Sequence, residues 1–168
     1  MLASWNVLLS LWLASSSGTA LTQSVPLDFL AGKWALLNAD GSDAGTSCVR
    51  LDNGMISEVR RDNEGDVPLW FFQSERNGGW TQLFPAPSGE LREFTPQSKP
   101  GDWPLILGSK VTLKDGRRVT FRLTMKRLEE RNSRRHLEMS ADDGKTWNTV
   151  FDYTYRAVQA GRDGTCVW

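Results

Sequence analysis

Few side chains in this 168-residue chain have the chemistry of a catalytic or metal-binding centre. It contains one histidine, His136, and two cysteines, Cys48 and Cys166, which are too few and too far apart for a Cys/His zinc site. No glycine-rich phosphate loop is present, so we expect neither a metal nor another cofactor. His136 alternates with the apolar Leu137 and Met139 and should face away from them, which argues against a haem ligand inside the fold.

Paired carboxylates, which can act as general acid and base, occur at Asp142–Asp143 and at Asp62–Glu64. Both pairs lie in turn-like segments, where Asp is common for structural reasons, and we expect no enzyme activity. The chain has 20 basic and 20 acidic residues, so it lacks the excess positive charge of a general nucleic-acid binder. Length and composition are those of one globular domain.

The amino terminus resembles a secretory signal peptide. The first 23 residues carry no charged side chain, and Val7 to Ala14 form an apolar run too short to span a membrane. Small residues follow up to Ala20, which suits cleavage by a signal peptidase. We predict a signal peptide over residues 1–20, one domain over residues 21–168, a secreted or periplasmic location, and no integral membrane segment after cleavage. A membrane anchor is the alternative, because no Lys or Arg precedes the apolar run.

Export changes the interpretation of Cys48 and Cys166. In an oxidising compartment two distant thiols persist as a disulfide, and we predict one between these residues. Closing so long a loop would stabilise the fold by roughly 4–5 kcal/mol in the chain-entropy treatment. Two unpaired thiols are the alternative.

Alternation of apolar and polar residues with a period of two runs through the mature chain, and no helical stripe of similar length occurs. In Arg118 to Arg127, residues Val119, Phe121, Leu123 and Met125 face one way. In Thr146 to Arg156, residues Trp147, Phe151, Tyr153 and Tyr155 share a face. Further strands are predicted at Lys33 to Asn38, Ser47 to Leu51, Met55 to Arg60, Pro68 to Gln73, Trp80 to Phe84, Leu91 to Thr95 and Lys110 to Lys114.

Turn signals separate nearly all these strands, and Asp142 to Lys145 is predicted to form a hairpin turn. Proline-rich Pro96 to Pro104 is predicted to be a loop. Short strands at regular spacing favour an all-β fold, either an antiparallel up-and-down barrel of about eight to ten strands or a sandwich of immunoglobulin type. Ser24 to Leu30 predicts a short helical turn before the first strand.

LAGKWALL places Gly32 and Trp34 in a Gly-x-Trp arrangement after this turn, and it resembles the opening of lipocalins and related calycins. The ending SADDGKTWNTVFDYTYR is similar to that of secreted bacterial lipocalin-like proteins. The resemblance covers the domain loosely and implies a closed barrel. It also implies that Trp34 packs at the barrel end against a basic residue of a late strand, for which Arg156 is the candidate. We therefore expect the Arg156 guanidinium within about 6 Å of the Trp34 ring centre.

A lipocalin-like barrel implies an interior that either is filled or binds a small apolar or amphipathic molecule. Both alternatives explain an aromatic inner face equally well. A ligand carrier should contain a cavity of several hundred Å³ reached from one barrel end, whereas a surface-binding module should be filled. The residues predicted to contact a ligand are Trp80, Phe121, Met125, Trp147, Phe151, Tyr153 and Tyr155.

The segment 117–135 suggests an alternative function. It carries eight basic residues and only two acidic ones, Glu129 and Glu130. Such a hairpin could bind an anionic surface or a protein partner, although a charged run is more often a solvated face. Here we expect Arg122 and Lys126 to face solvent. The oligomeric state and the identity of a ligand do not follow from the sequence.

Overall fold

Ten antiparallel strands close into a barrel in the computed structural model, which describes residues 27–63, 65–73, 78–86, 89–129 and 131–158. Each strand pairs with its neighbours along the chain, and the first strand pairs with the last. This order confirms the predicted up-and-down barrel and excludes a sandwich. The strands are β1 (Gly32–Leu37), β2 (Asp43–Asp52), β3 (Met55–Asp62), β4 (Gly65–Gln73), β5 (Trp80–Pro85), β6 (Leu91–Pro96), β7 (Leu105–Thr112), β8 (Arg118–Glu129), β9 (Asn132–Ser140) and β10 (Asn148–Ala157).

The inner face of the barrel follows the predicted alternation on most strands. On β8 the predicted inward residues Val119, Phe121, Leu123 and Met125 are buried, while Arg122 and Lys126 face outwards as expected. Strand β7 begins at Leu105, five residues before the predicted start at Lys110. The prediction started too late because the prolines up to Pro104 indicated a loop. Leu105 and Leu107 are buried and extend the core.

A short 3₁₀ turn, Asp28–Leu30, closes one end of the barrel, as the sequence predicted. Leu27 and Leu30 are fully buried beneath it. The Trp34 indole Nε1 donates a hydrogen bond of 2.7 Å to the Leu30 carbonyl oxygen. Its ring packs edge-on against Tyr155, with ring centroids 6.4 Å apart. Trp34 therefore joins β1, β10 and the closing turn.

The predicted stacking of Arg156 on Trp34 is wrong. Arg156 lies opposite Ala35 in the pairing of β1 with β10, whereas Trp34 lies opposite Ala157. Successive residues of a strand point to opposite faces, so Arg156 projects outwards and is exposed. A different arginine approaches this end of the barrel, because the Arg127 guanidinium lies 4.9 Å from the centre of the Phe29 ring.

Strand β10 contains a bulge that reverses its alternation. Thr149 pairs with the outward-facing Glu138, and Phe151 pairs with the inward-facing Leu137, so that Val150 is the extra residue. Residues before the bulge consequently have the opposite parity to those after it. The prediction that Trp147 faces the interior is therefore wrong. Trp147 is half-buried outside the barrel wall, against the Arg122 guanidinium.

The turn between β9 and β10 explains the carboxylate pair at Asp142 and Asp143. Asp143 has a φ of 56° and Gly144 a φ of 89°, as a tight hairpin turn requires. The Asp142 carboxylate accepts hydrogen bonds from the hydroxyl and the amide N–H of Thr146. These bonds, with one from Ser140, lower the pKa of Asp142 to about 2. Asp142 therefore stabilises the turn through its carboxylate, and Asp143 contributes its backbone conformation.

Two predictions lie partly or wholly outside the described residues. The predicted signal peptide, residues 1–20, is one of them. The other is the disulfide, because Cys48 lies on β2 whereas Cys166 is beyond residue 158. Where the structure describes the chain, no helix is long and apolar enough to cross a membrane.

Candidate functional site

A charged pair lies inside the barrel. Glu58 on β3 and Arg135 on β9 form a salt bridge between Oε2 and Nη1, and both side chains are almost completely buried. The Ser47 hydroxyl donates a hydrogen bond of 2.7 Å to the other carboxylate oxygen, Oε1 of Glu58. Buried charges are tolerated only when they are paired, so each partner makes the other compatible with the core.

Aromatic rings surround the Arg135 guanidinium. Its central carbon lies 4.2 Å from the centre of the Tyr155 ring and 5.3 Å from that of Phe71. Burial opposes the positive charge of Arg135, but the Glu58 carboxylate outweighs this effect and raises the pKa of Arg135 above its usual value. Burial is also the main cause of a raised pKa at the Tyr155 hydroxyl. Arg135 therefore stays charged, and Tyr155 stays neutral, at physiological pH.

A small inner cavity of about 40 Å³ adjoins this pair. Its wall combines apolar and aromatic side chains with polar groups from β3, β5 and β9. The lining residues are Arg60, Leu69, Gln82, Phe84, Phe94, Leu123, Arg135, Leu137, Phe151 and Tyr155. At this volume the inner cavity is far smaller than the internal space of several hundred Å³ expected of a carrier.

Four buried polar atoms of residues lining the inner cavity have no hydrogen-bond partner within the described chain: Nε of Arg60, Nε and Nη2 of Arg135, and Oε1 of Gln82. A buried polar atom without a partner costs about 1–3 kcal/mol relative to one that is bonded. In native proteins such atoms are normally satisfied by water or by a ligand. The inner cavity thus has both the room and the polar groups to bind one.

A larger opening, the wall cleft, separates β6 from β7. In the described chain these strands pair only at Thr95 with Gly108 and at Pro96 with Leu107, and beyond this point they diverge. The cleft has a volume of about 620 Å³, within the range of small-molecule sites. Residues from both faces of the sheet line it, including Arg92, Thr95, Ile106, Ser109, Lys110, Val111, Phe121, Arg122 and Trp147.

Arg92 lies between the wall cleft and the inner cavity. Its guanidinium is 4.6 Å from the centre of the Phe121 ring, in the cleft, and 5.5 Å from that of Phe84, which lines the inner cavity. Phe94 packs against both rings. Burial lowers the pKa of Arg92, and the nearby Glu90 partly offsets this effect. One arginine and three phenylalanines therefore form the partition between the two spaces.

The residues predicted to contact a ligand are divided among the inner cavity, the wall cleft and the apolar core. Phe151 and Tyr155 line the inner cavity, and Tyr153 stacks on Phe151 with ring centroids 4.8 Å apart. Phe121 lines the wall cleft. Trp80 and Met125 are buried in the apolar core and line neither space, and Trp147 borders the cleft from outside.

Sequence reasoning missed the polar residues of the inner cavity. Arg135 was counted with the exposed basic hairpin, although the alternation that turns Leu137 and Met139 inwards also turns Arg135 inwards. The same signal was present on β3, where Glu58 and Arg60 share the face of Ile56. A charged residue on an apolar face was interpreted as exposed because its partner is distant in sequence.

Most basic side chains of the hairpin 117–135 already contact a carboxylate or an aromatic ring. Salt bridges join Arg117 to Asp115, Arg122 to Glu138 and Arg134 to Asp152. Arg127 stacks on Phe29, and Arg135 is buried. Among the described residues, the cations of this segment without a carboxylate within 4.0 Å are Arg118, Lys126, Arg127 and Arg131, and of these Arg127 is the one stacked on an aromatic ring.

His136 lies on the outer face, as its parity predicted. Its Nε2 atom is 3.0 Å from the Thr149 hydroxyl, and its Nδ1 atom is 3.8 Å from the Glu138 carboxylate. Of the other predicted carboxylate pair, Asp62 contacts Arg60 at 3.3 Å, and Glu64 lies outside the described residues. No cluster of three metal-ligating side chains occurs in the segments with described coordinates.

Comparison with known proteins does not assign the barrel to a family. No protein-family model matches the chain, and no curated protein is similar enough to count as a relative. The closed ten-strand barrel is compatible with a calycin-like fold. Because no relative indicates a function, the function has to be argued from the two cavities and their residues.

Proposed function

We propose that this protein is an exported, non-catalytic carrier of a small amphipathic molecule. The main observation behind this proposal is that the wall cleft, a space of about 620 Å³, adjoins an inner cavity of about 40 Å³. Four buried polar atoms of the residues lining that cavity have no hydrogen-bond partner within the described chain. Small-molecule sites typically combine apolar walls with a few well-placed polar groups. The two spaces together have this character.

The divergence of β6 and β7 gives a ligand access through the barrel wall. In this proposal the body of the ligand lies in the wall cleft, against Val111 and Phe121, and its polar end passes the partition formed by Arg92. Arg92 is held by its contacts with aromatic rings, and no carboxylate of the described chain lies within 4.0 Å of it. It can therefore move without breaking a salt bridge.

Export of the chain is part of the proposal. Cleavage after Ala20 and oxidation of Cys48 with Cys166 give a defined mass for the secreted protein. We expect intact-mass analysis to find a chain beginning at Leu21, with two hydrogens fewer than the reduced form. Alkylation of both cysteines without prior reduction would contradict the disulfide, and a secreted chain that retains residues 1–20 would contradict the cleavage.

Binding at the wall cleft can be tested with a substitution that fills it. Val111 faces the cleft and packs against the core, whereas the next residue, Thr112, is exposed and does not line it. We expect the wild-type protein to bind the amphipathic fluorophore anilinonaphthalene sulfonate (ANS) at one saturable site. Val111→Trp should weaken this binding by about tenfold or more, equivalent to about 1.4 kcal/mol, because the indole occupies the space. Fluorescence titration measures the effect.

Thr112→Trp is the matched control and should leave ANS affinity unchanged. Circular dichroism and thermal unfolding establish that both variants are folded. If Val111→Trp is folded and binds ANS as the wild type does, the cleft is not the binding site. Weakening of that binding by Lys126→Glu would then favour the alternative function, in which the exposed cations of the hairpin 117–135 bind an anionic partner.

A further inference from the structure

The outer face of the barrel carries a further depression, the outer-wall pocket, with a volume of about 240 Å³. It lies over β8 and β9 and is bordered on one side by Ile106 of β7. Most of its wall consists of polar side chains that alternate with the buried residues of these strands and therefore face outwards. They are Arg122, Thr124 and Lys126 on β8, and Arg134, His136 and Glu138 on β9.

The register of β8 and β9 places two cations opposite each other in this pocket. Lys126 pairs with Arg134, and the neighbouring Thr124 pairs with His136. Like charges in directly opposite positions of adjacent strands repel each other and destabilise the sheet. This arrangement therefore costs stability unless negative charge is supplied nearby.

Carboxylates of the described chain compensate part of this positive charge. Asp152 of β10 accepts a hydrogen bond of 2.6 Å from Nε of Arg134 and a second one from its Nη2 atom. Glu138 lies 3.0 Å from Nη2 of Arg122. Lys126 has no carboxylate within 4.0 Å among the described residues. Three permanently charged cations thus meet two carboxylates, and the charge of Lys126 is left over.

Hydrogen-bond donors accompany this unpaired charge. Asp152 uses Nε and Nη2 of Arg134, which leaves the Nη1 atom of the guanidinium available for another acceptor. Lys126 adds an ammonium group with three N–H donors, and Thr124 adds a hydroxyl group two residues away on the same outward face. The outer-wall pocket therefore offers several donors to a negatively charged acceptor.

A phosphate group matches these donors in size and charge. It has five non-hydrogen atoms, and a water-sized group needs about 10–15 Å³, so that a pocket of about 240 Å³ holds the phosphate and part of the molecule that carries it. A phosphate monoester has about 1.5–2 negative charges at neutral pH and three strong acceptor oxygens. Lysine and arginine are common protein partners of phosphate. A carboxylate offers one charge and two oxygens, and so uses fewer of the donors.

We propose that the outer-wall pocket binds a phosphate group, with Lys126 and Arg134 as cationic donors and Thr124 as a hydroxyl donor. The bound group supplies the negative charge that the pairing of Lys126 with Arg134 requires. Because the pocket opens on the outer surface, the phosphate belongs either to a soluble ester or to a phospholipid head group. The inference does not rest on the carrier function, since these three side chains line neither the wall cleft nor the inner cavity.

Three probes test this inference at constant ionic strength: glycerol phosphate, acetate, and phosphatidylcholine vesicles with and without phosphatidylglycerol. Titration calorimetry on the secreted protein measures the soluble probes, and co-sedimentation measures the vesicles. We expect glycerol phosphate to bind at one site about tenfold or more tightly than acetate, because it carries more charge and accepts more hydrogen bonds. Since a ligand of the folded state stabilises it, glycerol phosphate should also raise the thermal midpoint of unfolding.

Substitutions locate the site. Lys126→Gln should weaken glycerol phosphate binding about tenfold, because it removes a charged hydrogen-bond donor. Lys114→Gln makes the same change at an exposed turn position and should leave the affinity unchanged. Thr124→Val removes one hydroxyl without changing the charge and should weaken binding about fivefold. The double variant Arg134→Gln/Asp152→Asn keeps the net charge but removes the guanidinium, and it should also weaken binding.

The outcomes decide both the site and the ligand class. If Lys126→Gln and Thr124→Val bind glycerol phosphate as tightly as the wild type does, the phosphate lies elsewhere and the site is wrong. If acetate binds as tightly as glycerol phosphate, the ligand class is wrong.

The vesicles distinguish the two sources of phosphate. If vesicles containing phosphatidylglycerol bind, glycerol phosphate does not, and Lys126→Gln weakens the vesicle binding, the site takes a phospholipid head group. If neither phosphate probe binds, the inference fails. The carrier function is judged by ANS binding to Val111→Trp, so either proposal can fail without the other.

Discussion

We expect replacement of Arg135 by methionine to lower the free energy of unfolding by about 3–5 kcal/mol, a large share of the stability of a typical domain. Methionine fills a similar length of the core but leaves the Glu58 carboxylate buried without its cation. The hydrogen bond from the Ser47 hydroxyl remains, but it does not replace the lost positive charge. Equilibrium unfolding in urea measures the change, with the pH held well above the pKa range of carboxylates.

Arg134→Met is the matched control for this prediction. Arg134 is the neighbouring residue, faces outwards and pairs with Asp152 at 2.6 Å, but it is partly exposed to solvent. An exposed pair contributes about 0–1 kcal/mol, so the control should change stability by no more than that. The double variant Glu58→Leu/Arg135→Met should recover most of the loss, since replacing both members of a buried pair by apolar residues is often neutral. Equal effects of Arg134→Met and Arg135→Met would contradict the buried pair.

Trp34→Ala should also reduce the free energy of unfolding by about 3–5 kcal/mol. The indole is almost fully buried, and its removal leaves a cavity between β1, β10 and the closing turn. The hydrogen bond to the Leu30 carbonyl is lost at the same time. Denaturant unfolding and the thermal midpoint should both report the loss. A variant that melts within a degree of the wild type would show that the closing turn contributes little.

Arg156→Ala distinguishes the observed packing from the arrangement implied by the calycin resemblance. Because Arg156 is exposed and points away from Trp34, this substitution should change stability by less than about 0.5 kcal/mol. If Arg156 stacked on the indole, its removal would cost about 1–2 kcal/mol. A loss of that size would restore the original expectation.

Local patterns predicted most of the barrel wall because each strand carries its own alternation. On β8, apolar residues at every second position identified the inner face, and the structure buries all of them. The hairpin turn at Asp142 to Lys145 was recognisable because Asp and Gly supply the required backbone angles. Such features depend on residues close together in the chain.

The error at Trp147 shows where a local pattern is insufficient. The sequence from Trp147 to Tyr155 alternates except at polar Thr149 and apolar Val150, and the structure inserts Val150 as a bulge. Pairing with β9 places Leu137 opposite Phe151, and the extra residue reverses the parity before it. A bulge is a property of two paired strands, so one strand's pattern does not reveal it.

The sequence by itself determined that this chain forms an all-β domain with a closing turn before Trp34, and it left an up-and-down barrel and a sandwich as alternatives. The closed order of the ten strands was decided by the tertiary structure. Only the tertiary structure decided that Glu58 meets Arg135, 77 residues away, and that β6 and β7 diverge to open the wall cleft. The reason is physical: alternation assigns a side chain to a face of its own strand. Which polar groups meet inside depends on the register and twist accumulated over all strands as the barrel closes.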